Sequence, residues 1–563
     1  MRLDAAICCL SAKYVHASLA PWCLLAGVRA YAPGLRVKVV ESTVNRPLEE
    51  TAKTLEALAP RAVAFCCYIW NIGALKKLLP EVRRRLPGAA IVLGGPEVSY
   101  RPVEALAELP EADYILCGEG EKPFPLFLKA LRGEGAFSEV PGLCAKGDST
   151  APTPYIGEDE PPSPYTREYF EALGGRIAYL ETSRGCPYRC AFCLSGRCGG
   201  VRFFSLQRAK SEMLALAQSG AQTVKLVDRT FNCNRARAKE LWRFVIDQQG
   251  KGVPPGVCFH FEIAGDILDE ESIEILNAAP PGSIQLEIGM QSFYPPTLEA
   301  VRRRTDCARL CENIRRLVKP GNLHIHIDLI AGLPYEGLAE FRESFDTGYQ
   351  LGSHMLQLGF LKLLPGSELR EKAEEYGLEY EQEAPYEVTR TRWLDETELA
   401  LLHGVEAAAE RLCNSGRFLR TLAYVLGQSG LSPFCLFEGL ARAAGCAAGV
   451  SLDAYTALAK SYFETLPGVE PERLRDELVL DRLASAPGGR LPPCLYKKDP
   501  RLKKAALWLQ AGAWPRKRGM MRGTALLYGR GALAAVDYDP ALRNPVTGRW
   551  PVKLFTGEEI YDV

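Results

Sequence analysis
The 563-residue sequence has no surplus of charge: 68 Lys and Arg stand against 68 Asp and Glu. That balance removes the global field with which a chain of one sign gathers nucleic acid or an anionic membrane. Long apolar runs are missing too. No segment approaches the ~18 uncharged apolar residues of a membrane span, and the opening "MRLDAAICCLSAKYVH" (1–16) holds too short an apolar stretch for a secretory signal. No membrane contact is expected, and the expected location is the cytoplasm. A disulfide framework is also absent. The 19 cysteines are odd in number and belong to a long chain without an export signal, so they read as free thiols. Most, such as Cys8, Cys9, Cys66, Cys67 and Cys117, lie inside apolar runs, where a free Cys serves as a small buried hydrophobe.

What remains has an ordinary globular composition, 47% apolar and 24% charged. The length exceeds one hydrophobic core, so about two to four domains are expected. Residues 1–135 alternate β-like runs, "DAAICCL" (4–10), "RVKVVES" (36–42), "RAVAFCCYI" (61–69), "AAIVLGG" (89–95) and "ADYILCG" (112–118), with helical stretches. Such repeats imply a parallel sheet covered on both faces, here of flavodoxin-like (Rossmann-type) order, with ligands beyond the carboxyl ends of the strands. Three of those ends carry unusual loops, "CYIWNIG" (67–73), "GGPEVSY" (94–100) and "GEGEKPF" (118–124). Their glycines would let backbone approach a flat or extended ligand. Residues 136–175, Pro-rich and acidic, read as a linker.

A second alternating region runs over 176–380. Its strand candidates are "RIAYLETS" (176–183), "QTVKLVD" (222–228), "VCFHFEIAG" (257–265), "SIQLEIGM" (283–290), "LHIHIDLIAG" (323–332) and "MLQLGFLKLL" (355–364). Six β/α units make a partial (β/α)6 barrel whose active site should lie at the C-terminal strand ends. Residues 381–563 read as a mainly helical accessory domain with a β-hairpin at "TALLYGRGALAAVDYD" (524–539). Segment 497–522 is basic and holds Trp508 and Trp514; a solvated surface outweighs an RNA contact there.

The loop after the first barrel strand is "ETSRGCPYRCAFC" (181–193), which spaces Cys186, Cys190 and Cys193 as C-x3-C-x2-C. Three thiolates on a short loop can hold three irons of a [4Fe–4S] cube and leave the fourth open for a substrate or cofactor. Zinc is the competing metal. A structural zinc site asks for four ligands, usually in two separated pairs, and no suitably spaced pair follows. Cys198, in "SGRCGG", is the remaining candidate for a fourth ligand.

The cysteine spacing, with Phe192 before the last Cys, resembles that of radical S-adenosylmethionine (SAM) enzymes. In that family the open iron binds the amino and carboxylate groups of SAM, and one electron from the cluster generates a 5′-deoxyadenosyl radical. The resemblance extends to other strand ends. "EIGMQSF" (287–293) is similar to the segment in which Gln291 would contact SAM. "HIDLIAGLPYE" (326–336) is similar to the one in which Asp328 faces the ribose and the Gly332–Leu333–Pro334 backbone packs on adenine. Arg303, in "TLEAVRRRTD" (297–306), resembles the arginine that pairs with the SAM carboxylate, although Arg302 and Arg304 leave the register open. Asp228 and Glu262 are further carry-overs at the second and third strand ends.

A flavodoxin-like domain with "LGGPE" and "CGEGE" ahead of such a barrel resembles the cobalamin-binding class of this family. The resemblance implies that Tyr68, Ile69, Trp70, Gly94, Gly95, Pro96, Glu97, Gly118, Glu119 and Gly120 line the cobalamin site. The first loop, "SAKYVHASLA", departs from the D-x-H-x-x-G pattern that supplies a cobalt ligand, so His16 is not expected to be one. The implied cofactors are a [4Fe–4S] cluster, SAM and cobalamin. The implied activity is methyl transfer to an unactivated carbon of a small molecule or peptide, RNA being a weaker substrate candidate. An electron donor such as flavodoxin or ferredoxin would serve it. Competing readings are a non-methylating cyclase or rearrangement enzyme, an iron–sulfur electron carrier, a cobalamin sensor, and a tRNA methylthiotransferase. The last would need a second cluster on Cys9, Cys66 or Cys67, and Cys144.

Overall fold
The computed structural model describes residues 2–197, 199–444, 449–488, 490–514 and 519–556. Cys198, weighed above as a ligand, lies outside them. The chain forms two compact units: Met1–Ile267 with Glu299–Arg304 and Leu361–Arg392, and Leu268–Leu298 with Thr305–Phe360 and Trp393–Val563.

In the first unit, strands β1 (Ala5–Ser11), β2 (Val37–Thr43), β3 (Ala62–Cys66), β4 (Ala90–Gly94), β5 (Tyr114–Leu116) and β6 (Leu143–Ala145) form one sheet in the order β2-β1-β3-β4-β5-β6. The first five run parallel. Every residue of β1 and β3 is buried, as expected of central strands covered on both faces. The helix Ile72–Arg85 buries Leu75, Leu78, Leu79 and Val82, one stripe at helical spacing, in the same core as Val63, Phe65, Ile91 and Leu93. The chain turns from one flank of the sheet to the other between β1 and β3, and their carboxyl ends border the crevice where such sheets bind ligands.

Segment 136–175 has more structure than a linker. Its β6 pairs antiparallel with β5 and puts Cys144 into the core, and the helix Arg167–Leu173 follows, capped by Thr166. The chain then forms β7 (Ala178–Leu180), a short hairpin of β8 (Ser183–Arg184) with β9 (Arg202–Phe203), β10 (Thr223–Leu226) and β11 (Cys258–Ile263). β10 pairs parallel with both β7 and β11.

The second unit holds β12 (Ile284–Gln291), β13 (His324–Ala331) and β14 (Met355–Phe360), parallel and paired in chain order. In β12 the side chains of Ile284, Leu286, Ile288 and Met290 are buried, while Gln285, Glu287, Gly289 and Gln291, on the other face, are half-buried. β7 and β10–β13 are each followed by a helix, of which four begin on a side-chain cap: Ser205, Asn234, Asp269 and Asp306. The six strands match the expected (β/α)6 count.

β15 (Glu379–Tyr380) and β16 (Val388–Arg390) make a small antiparallel pair in the first unit. The C-terminal helices end in a sheet of β17 (Arg522–Leu527), β18 (Ala532–Asp537) and β19 (Lys553–Thr556). The expected hairpin is therefore extended by a third strand, whose four residues carry too short a pattern to read. Among the described residues no helix is long and apolar enough to cross a membrane.

Candidate active site at the strand ends
The cysteine loop springs from the β8–β9 hairpin. Gly185, at φ +93°, passes so close to the carbonyl of Gly200 that a Cβ would collide with it. The middle of the loop is held by backbone on both sides. Ala191 N–H donates to Val301 O (2.9 Å), and Ala191 O accepts from Leu369 N–H (3.0 Å). The three thiols have separate neighbours: Thr230 Oγ1 lies 3.4 Å from Cys186 Sγ, Ser195 N–H donates to Cys193 Sγ (3.4 Å), and Arg303 Nη1 approaches Cys190 Sγ to 3.9 Å. Burial pushes the Cys190 thiol up, and the Arg303 charge and hydrogen bond pull it back. Arg303 also lies over the Tyr188 ring, 5.7 Å from its centre, whereas its neighbour Arg302 pairs with Glu368. The fold thus brings Arg303 to the cysteines. Phe192 is half-buried within the loop. Three unpaired thiols on an anchored loop, one beside a cation, fit a cluster held by three thiolates.

Asp228 sits beneath this loop and is buried. It accepts from Thr182 N–H (2.7 Å), Thr182 Oγ1 (2.7 Å) and Ser183 Oγ (2.6 Å), so its carboxylate fastens the chain just before the cysteines. Burial raises its pKa, and those hydrogen bonds oppose the rise. Glu262, on β11, is half-buried near Lys225 (3.8 Å) and Arg229 (3.7 Å).

The loops assigned to cobalamin are joined to the same region. Tyr68 and Trp70, just beyond β3, stack at 4.3 Å and 8°, with Trp70 49% exposed and Ile69 half-buried beside them. A fully buried Asn71 secures this turn: its Oδ1 accepts from Tyr68 N–H (2.8 Å), and its Nδ2 donates to Leu10 O (3.1 Å) and Cys66 O (2.9 Å). A flat aromatic pair beyond β3, its Trp70 exposed and its Tyr68 half-buried, fits a planar macrocycle. His16 is committed elsewhere, its Nδ1 lying 2.7 Å from Tyr179 Oη on β7.

Several glycines at these loops face backbone. A Cβ on Gly95 would run into Cys67 O and one on Gly118 into Tyr155 O, while Gly94 meets only Leu116 O at 3.5 Å and Gly120 faces the Leu24 side chain. Pro96 is exposed. Glu97 is buried and accepts from Tyr386 Oη; burial raises its pKa against that bond. Glu119 pairs with Arg184 (2.8 Å) and Arg202 (2.8 Å), and Glu121 pairs with Arg184 (2.6 Å). Arg184 also holds Glu181 (2.9 Å). These two arginines bracket the cysteine loop. Nothing in the local sequence marked them or Glu121.

Cys9 and Cys66 lie on the neighbouring strands β1 and β3, but Cys144 is on β6, three strands beyond β3. At ~4.8 Å per strand that is about 14 Å, too far for one cluster.

In the second unit, Gln291 ends β12 at a bulge with φ +72°. On β13, Asp328 Oδ1 lies 3.0 Å from His326 Nε2, and Glu287, across on β12, lies 4.0 Å from His326 Nδ1. Gly332, at φ +85°, starts the turn that leads to Glu336. That last glutamate, which nothing in the sequence singled out, is fully buried against Ser292 and Ser344.

The B12 binding domain family matches residues 6–128, and the Radical SAM superfamily matches residues 180–348. The chain thus carries a B12-binding domain followed by a radical SAM domain. A protein family of unknown function (DUF4080) matches residues 374–517 of the same chain. It is 27% identical over 341 residues to a 2-(S-pantetheinyl)-carbapenam-3-carboxylate methyltransferase of Streptantibioticus cattleyicolor, covering 57% of this chain and 50% of that one. To the cobalamin-dependent radical SAM methyltransferase TokK of Streptomyces tokunonensis it is 27% identical over 354 residues, 59% of this chain and 51% of that one. It thus spans about half the length of these relatives. The solved structure of the cobalamin-dependent SAM radical enzyme OxsB, with aqua-cobalamin and SAM bound, superposes with a TM-score of 0.59 at 13% identity, over 85% of this chain and 78% of that one. The fold is therefore that of cobalamin-dependent radical SAM enzymes.

Proposed function
We propose that this protein is an enzyme that reductively cleaves SAM at a [4Fe–4S] cluster on Cys186, Cys190 and Cys193, and that it methylates an unactivated carbon of a small-molecule or peptide substrate with the help of cobalamin. The observation that carries the reading is the anchored three-thiol loop, tied through Arg184 and Arg202 to Glu119 and Glu121 of the cobalamin-type domain. When bound, the cluster would supply an electron to SAM, and cobalamin would carry the methyl group.

The chain's own groups divide the remaining work. Arg303 would pair with the SAM carboxylate while it screens the Cys190 thiolate. Gln291, Asp328 and the Gly332–Pro334 backbone would hold the rest of SAM, with Glu262 a further polar contact. Asp228 would keep the start of the cysteine loop in place. Tyr68, Ile69 and Trp70, with the 94–97 and 118–120 loops, would seat cobalamin. His16, held by Tyr179, would not reach the cobalt. Residues 1–135 with the β6 extension would be the cobalamin domain, 176–380 the barrel and 381–563 an accessory domain. A flavodoxin or ferredoxin of the cytoplasm would donate electrons.

The test is an anaerobic assay of the reduced, cobalamin-loaded protein. S-adenosylhomocysteine together with 5′-deoxyadenosine is the expected pair of products. 5′-Deoxyadenosine alone would mean a cyclase or rearrangement enzyme, and intact SAM would sink the enzymatic reading. The wild-type chain should hold about four irons, and changing all three cysteines to Ala should remove them.

A further inference from the structure
The end of β12 is strained. Ser292 N–H donates to Met290 O (3.0 Å) across Gln291, whose φ is +72°. An i→i+2 bond around a positive φ is a γ-turn of the rare, strained hand, and Gln has no intrinsic preference for that region. Such a conformation persists only where its surroundings over-determine it.

Those surroundings converge on one side chain. Ser292 Oγ donates to Glu336 Oε1 (2.7 Å) and accepts from Tyr294 N–H (2.9 Å). Ser344 Oγ donates to the same Oε1 (2.8 Å) and accepts from Phe293 N–H (3.0 Å). Thr297 Oγ1 closes a parallel link onto Pro334 O (2.8 Å). Glu336 is 0% exposed, and its Oε2 is buried with no hydrogen-bond partner. A carboxyl so placed costs desolvation that two hydroxyl bonds to one oxygen only partly offset. Its position links the residue after Gln291 to the turn after Gly332.

We propose that Glu336 is a positioning residue: it ties the end of β12 to the turn after β13, and so fixes Gln291 and the Gly332–Pro334 backbone at the spacing needed to grip SAM. This rests on the proposed role of those residues as SAM contacts. Glu336 itself, fully buried, would touch neither SAM nor the cluster.

The test uses the full chain with its cluster reconstituted anaerobically. It reads SAM affinity by equilibrium dialysis, iron content, and amide exchange at residues 292–294. Glu336→Gln keeps the volume and an acceptor oxygen, so it should bind SAM within about threefold of wild type. Glu336→Val and the milder Ser292→Ala should each weaken SAM binding by about 5- to 30-fold, the worth of one or two lost hydrogen bonds. Iron content should not change, and residues 292–294 should lose exchange protection. Wild-type affinity and protection in a folded Ser292→Ala would overturn the clamp. If the wild-type chain itself binds no SAM, the proposed function fails and its SAM role for Glu336 falls with it, whereas loss of protection would still show the mechanical link.

Discussion
Replacing Arg184 by Met tests whether the charged knot beside the cysteine loop stabilises the fold. The guanidinium touches Glu119 at 2.8 Å, Glu121 at 2.6 Å and Glu181 at 2.9 Å, and its side chain is 15% exposed. Burial works to raise the pKa of Glu121, but the Arg184 charge and hydrogen bond, with Arg202, outweigh it and hold that carboxyl below its usual range. Glu181 stays above its usual range, because burial outweighs Arg184 and the charges of Glu121 and Asp228 add to it. Removing the cation leaves buried carboxylates uncompensated, a change that costs about 3–5 kcal/mol. Arg202 still holds Glu119 (2.8 Å), so the lower end applies. At about 2–4 °C per kcal/mol, the first thermal transition should fall by roughly 6–12 °C at pH 8.

The sign of the pH dependence follows. In the wild type the depressed pKa of Glu121 contributes stability above its unfolded value of 4.5, and that stability is lost as pH falls. In Arg184→Met the unpaired Glu121 and Glu181 both titrate above 4.5, so the variant recovers as acid neutralises them. The gap between the two proteins should therefore narrow from pH 8 towards pH 5.5, and adding Glu121→Gln to Arg184→Met should close part of it at pH 8. A deficit below about 1 kcal/mol, or one that does not change with pH, would refute this account of the knot.

Two further outcomes are expected. Gly27 lies in the helix Ala20–Tyr31, where a Cβ would run into the backbone of Glu121; Gly27→Ala should thus destabilise by about 1–3 kcal/mol in urea unfolding, although Ala is the better helix former by ~1 kcal/mol. Burial pushes the Glu336 carboxyl up to about 7, with the Ser292 and Ser344 hydroxyls opposing and the charge of Glu340 adding to the rise. Its contribution to stability is then complete below its unfolded value of 4.5, declines as pH rises to about 7 and is flat above. The stability difference between wild type and Glu336→Gln should change by up to about 3 kcal/mol across that window, and a pH-independent difference would count against a buried neutral carboxyl.

The sequence by itself determined the two α/β regions and the place of the cysteine loop, because those signals are local. Strand alternation, helical stripes such as Leu75–Leu78–Leu79–Val82, and the C-x3-C-x2-C spacing are set within a few residues of one another. Only the tertiary structure decided what the polar residues at the strand ends touch. Asp228 turns to Thr182 and Ser183, Glu97 meets Tyr386 from 289 positions away, and Glu119 meets Arg184 and Arg202. The choice of Arg303 over Arg302 beside Cys190 belongs here too. So do the edge strands β6 and β19, whose patterns are too short to announce themselves. A carboxylate in a loop satisfies the same sequence pattern whether it faces a ligand, a cation or a buried hydroxyl. Its partner is selected by packing between distant segments, since a buried charge or donor must be paired wherever the chain brings it.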